Sequence, residues 1–92
     1  MKAAHKFRDQ IMNADPYGSA QAAMAVIDKL QSHPPGEQVI GIGAAFVLLC
    51  NHYGVHTDDA VSAAEYCIRH TNKRQIPEFR AVEQYVQEEL PK

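Results

Sequence analysis

Residues 39–50 read Val-Ile-Gly-Ile-Gly-Ala-Ala-Phe-Val-Leu-Leu-Cys, a run with no charged side chain and no side-chain amide. A helix that is apolar around its whole circumference has to be covered on most sides. The run is too short to cross a bilayer, which takes about 20 residues. It therefore predicts a buried central helix over residues 36–53, with shorter amphipathic helices packed around it. The fold class expected is all-α, a single compact bundle of about five short helices in one domain spanning residues 1–92.

The periodicity of the remaining chain agrees. Ala4, Phe7, Ile11 and Ala14 share one face of a first helix. Asp15 and Pro16 then either cap and open the next helix or form a turn with Tyr17 and Gly18. Residues 19–32 form a second helix striped by Ala20, Ala23, Ile27 and Leu30, which His33-Pro34-Pro35 ends. Pro35 opens the central helix, and Gly54 suits the left-handed residue that closes it. Within it Gly41 and Ala45 share a face that invites a close-packed neighbour. Thr57 caps a fourth helix, with Asp58 and Asp59 in its positive first turn and Val61, Ala64 and Ile68 as its inner stripe, Ala60 and Cys67 alongside. Pro77 opens a fifth, whose apolar side is Phe79, Val82, Val86 and Leu90. No stretch alternates with the period of a half-buried strand.

Charge narrows the function. The net charge of -2 attracts neither nucleic acid nor an anionic membrane. Between Leu30 and Ile68 there is no Lys or Arg, whereas Lys73, Arg74 and Arg80 gather beyond it. Two cysteines placed inside helices make no disulfide framework, and the first residues lack the apolar block of a secretion signal. A cytoplasmic protein is expected.

Each chemical motif has a plainer explanation. Gly41-Ile42-Gly43 lies within a helix without the strand, third glycine or lysine of a phosphate loop. Cys50, His52, His56, Cys67 and His70 contain one pair, Cys67 with His70, spaced to share a helix face and an ion. The set matches no common zinc spacing, so no metal or cofactor is expected. The tandem acids diverge on their helices, and no nucleophile has an oriented base, so no enzyme is expected. The Gly54-Val55 joint resembles a helix-turn-helix, but Asp58-Asp59 would open its recognition helix and repel a duplex. A nucleic-acid-associated regulator is the alternative reading.

The leading expectation is a cytoplasmic protein-protein interaction module. Its candidate binding residues are the acidic Asp58, Asp59 and Glu65, with Tyr66, and the basic Lys73, Arg74 and Arg80. Self-association through the glycine face would also cover apolar surface that a small core leaves over. Ala44-Ala45-Phe46 with Leu48-Leu49, then Tyr53-Gly54-Val55, then Pro77-Glu78-Phe79-Arg80-Ala81-Val82 with Tyr85 resemble small helical proteins encoded by bacteriophages and prophages. That resemblance implies an accessory protein that binds or inhibits a bacterial host protein.

Overall fold

The computed structural model of the chain describes residues 9–11, 13–68 and 77–90. Residues 9–11 are helical, and four complete helices follow: α1 (Pro16–Leu30), α2 (Pro35–Tyr53), α3 (Thr57–Ile68) and α4 (Pro77–Glu89). No strand occurs among the described residues, and the all-α bundle expected from the periodicity is what forms. Most of the expected first helix lies outside the described residues.

Local chemistry sets the helix ends. Asp15 accepts a hydrogen bond from the Gly18 amide at 3.1 Å and Pro16 opens α1, so these residues form a cap rather than a free turn. The helix thus begins three residues before the expected start at Ser19. At its far end the Gln38 side-chain amide donates to the Leu30 and His33 carbonyls at 3.0 and 2.8 Å. One α2 side chain thereby ties the end of α1 and the turn after it to the start of α2.

The end of α2 is equally specific. Gly54 has φ 70°, the Val55 amide donates to the Cys50 carbonyl at 2.9 Å, and the Gly54 amide donates to Asn51 at 3.3 Å. This pair of bonds closes a helix with a left-handed residue. The motif brings Val55 onto Cys50, and Ala60 of α3 completes a small buried cluster with them, flanked by Ile11 and Phe46.

A second cluster holds α1 to α4. Ala20, Phe79 and Val82 are buried there, with Ala23, Met24, Ile27 and Cys67 against them. The Tyr85 hydroxyl donates to Asp28 at 3.1 Å and accepts from the Gln31 side chain. These are the faces that the spacing of apolar residues predicts for both helices. In α3 the inner face is turned by one residue. Ala60 is buried and Ala63 and Cys67 are half-buried, whereas Val61, Ala64 and Ile68 are exposed. The tight Gly54 joint seats α3 on Val55 and Cys50, and its small residues fit that approach.

The cover on α2 differs most from expectation. The helix exists at the expected bounds, but only Cys50 is buried and only Gln38 and Phe46 are half-buried. Val39 is 66% exposed, Ile40 72%, Leu48 67% and Leu49 57%. The space above Gly41 and Gly43 is also open, with no heavy atom within 4 Å of where a Cβ would stand. The reason is geometric. Covering a helix all round takes about six neighbours at 8–10 Å. Here α1 and α4 are committed to each other, and α2 packs chiefly on α3.

Candidate protein-binding surface

The surface is set by where α2 is anchored. Cys50 is its buried pole, and residues advance by 100° around the axis. Gly41, Ala44, Ala45 and Leu48 fall near the opposite pole, with Ile40 and Leu49 on the two flanks. All six are exposed. Glu37 and His52 mark the ends of the same outer line. The Glu37 carboxylate lies 3.2 Å from His33 Nδ1, and the His52 ring meets the edge of Tyr53 at 4.8 Å between centroids. An apolar strip with a polar group at each end is thus presented outward.

Some of the residues expected from sequence to bind a partner share one helix. Asp58 and Glu65 are seven apart on α3, on the face away from buried Ala60, and both are exposed. Asp59 and Tyr66 repeat that spacing on the adjacent stripe, Asp59 half-buried and Tyr66 68% exposed. Arg80 is exposed on α4. Lys73 and Arg74 lie outside the described residues. The outward apolar side chains of α2 were missed as candidates, although the uninterrupted run that carries them was visible.

The cysteines lie apart in the core. Cys50 belongs to the α2–α3 cluster, while Cys67 packs against the α1–α4 cluster. Among the described residues no three His, Cys, Asp or Glu side chains converge as a metal would require. His70 is outside the described residues. Between the two clusters runs an open apolar cleft of about 630 Å³, lined by Ile11, Ala23, Phe46, Ala60, Cys67 and Phe79 among others.

Two further properties bear on what this surface meets. Among the described residues no single helix is long and apolar enough to cross a membrane, and α2 with α3 reach that composition only as a pair bent by 118°. One titration is shifted. Partial burial against α1 and the Asp28 carboxylate beside it raise the Tyr85 phenol above its ordinary pKa of 10.0. That group ties two helices together and takes no part in the α2 surface. Compared with protein-family models, curated proteins and solved structures, the chain matches none.

Proposed function

We propose that this chain is a non-enzymatic protein-protein interaction module whose docking element is α2. The observation that supports it is the exposure of Val39, Ile40, Leu48 and Leu49 along the uncharged run 39–50 of α2. Exposed apolar surface beyond scattered single residues marks interaction sites on proteins. A helix offering such residues is a familiar unit of recognition. Asp58, Glu65 and Tyr66 of α3, with Asp59 and with Arg80 of α4, would supply polar contacts for a partner. The phage-like residues noted above make a bacterial host protein the natural choice.

The second reading, a nucleic-acid-associated regulator, draws on the 118° angle between α2 and α3, which suits a helix-turn-helix. Charge favours the protein reading. Asp58 and Asp59 occupy the first turn of α3, where a DNA reader approaches phosphates.

Leu48→Glu tests the docking role. Leu48 faces outward, so the variant should keep its helical circular dichroism. Used as bait against bacterial lysate and against an untagged copy of the chain, it should lose the polypeptide that the wild type retains, with affinity reduced at least about tenfold. Equal retention by both baits would refute the docking role of α2.

A further inference from the structure

We infer that α2 pairs with the α2 of a second copy of this chain, antiparallel, about a two-fold axis passing between Ala44 and Ala45. This rests on the reading of α2 as a docking helix and names what docks there.

The register follows from the wheel. At 100° per residue, Glu37, Gly41, Ala44, Ala45, Leu48 and His52 lie within about 50° of one line running down the side of α2 away from buried Cys50. They are distributed symmetrically about the midpoint between Ala44 and Ala45. An antiparallel copy therefore sets each Gly41 opposite Leu48 of the other chain and each Ala44 opposite Ala45. Ile40 lies along one edge of the contact and Leu49 along the other. The largest outward side chain thus meets the residue with no side chain, over space that is open. The alanines at the centre let the two axes come close. A parallel pairing would set Leu48 against Leu48 and leave Gly41 facing Gly41.

Charge selects the same arrangement. The antiparallel copy brings the Glu37 carboxylate of one chain, which also contacts His33 of its own chain, near the His52 imidazole of the other, at both ends of the contact. The parallel copy brings Glu37 to Glu37. Residues 39–50 carry no charge, so a two-fold contact along them sets no like charges against each other.

The strip is open for such a contact: Ile40 is 72% exposed, Leu48 67% and Leu49 57%. Self-pairing would cover the outward strip of α2 and leave Asp58 and Glu65 of α3 on a separate helix for a different protein.

Sedimentation equilibrium of the purified full chain tests the inference. The wild type should sediment at twice 10.2 kDa, and Leu48→Glu at 10.2 kDa with unchanged helical content. Glu37→Lys should weaken the dimer about fivefold, through the loss of two symmetry-related carboxylate–imidazole hydrogen bonds at exposed sites. Adding His52→Glu to that variant should restore the affinity, an outcome that damage to a lone helix would not produce. A wild type that stays monomeric at about 100 µM overturns the inference, whether or not it then binds lipid vesicles. A dimer indifferent to Leu48→Glu, or a Glu37→Lys defect that His52→Glu leaves unrepaired, overturns it as well. A monomeric wild type that still loses its captured partner on Leu48→Glu would remove self-pairing alone and leave the docking role of α2 standing.

Discussion

The α1–α4 pair and α2 solve the same problem in opposite ways. Both are helices with apolar residues to hide. In α1 and α4 those residues fall on one stripe each, and each stripe finds the other, with Ala20, Phe79 and Val82 buried between them. Their polar sides then meet water, apart from the Tyr85 bridge to Asp28 and Gln31. In α2 apolar residues point in every direction, and one chain of this size supplies a neighbour for only one of them. Amphipathicity thus marks what the chain completes by itself. Apolarity all round marks what it leaves uncovered.

The largest effect that separates the two regions is expected at Phe79. Phe79→Ala removes the main side chain from the α1–α4 cluster and leaves a cavity, which costs about 3 kcal/mol. A domain of this length has a stability on the order of 5 kcal/mol, so the urea midpoint should fall by more than half. A shift no larger than that of an exposed α2 substitution would mean that the contrast between the regions is false.

The middle-sized effect concerns the glycines of α2. The shared face of Gly41 and Ala45 suggested close packing within the chain, under which a larger residue at 41 would overpack. The space above Gly41 is open. Gly41→Ala should therefore stabilise the dissociated chain by about 1 kcal/mol through helix propensity. Thermal melts at protein concentrations low enough to keep chains apart would measure this. Destabilisation under those conditions would return Gly41 to an internal contact.

This outcome shows what was legible in the sequence. Period and capping residues located the helices well: Pro35, Gly54 and Pro77 mark boundaries that backbone chemistry dictates, and the stripes of α1 and α4 face as their spacing predicts. The central run was recognised for its composition, but composition says only that a surface seeks cover. It does not say whether the cover comes from the same chain. The error in α3 has a related cause. Val61 and Ile68 are more apolar than Ala60, so they were taken for its inner stripe, whereas the Gly54 joint and Val55 select the smaller residue for the closer approach. Of the candidate binding residues, those on α3 could be grouped by helical spacing. The apolar side chains of α2 could not be assigned to a surface before its neighbours were known.

The smallest effect lies in the tie that completes the α1–α4 side. The Tyr85 phenol, partly buried and donating to Asp28, has its pKa raised above 10.0 in the folded chain. The folded state therefore holds this proton more tightly than the unfolded state does. The stability it contributes is whole below the unfolded pKa and is lost as pH rises through the folded value, when a phenolate would face the Asp28 carboxylate. Tyr85→Phe removes both the bridge and its titration. Melting temperatures of the two proteins should thus differ most near neutral pH, with the wild type higher, and should converge as pH passes about 10. Every other titrating group is common to both proteins, so the difference between the curves isolates Tyr85. A constant offset across the alkaline range would show that the bond to Asp28 does not hold α4 to α1, and that apolar contact alone joins the better-packed half of the molecule.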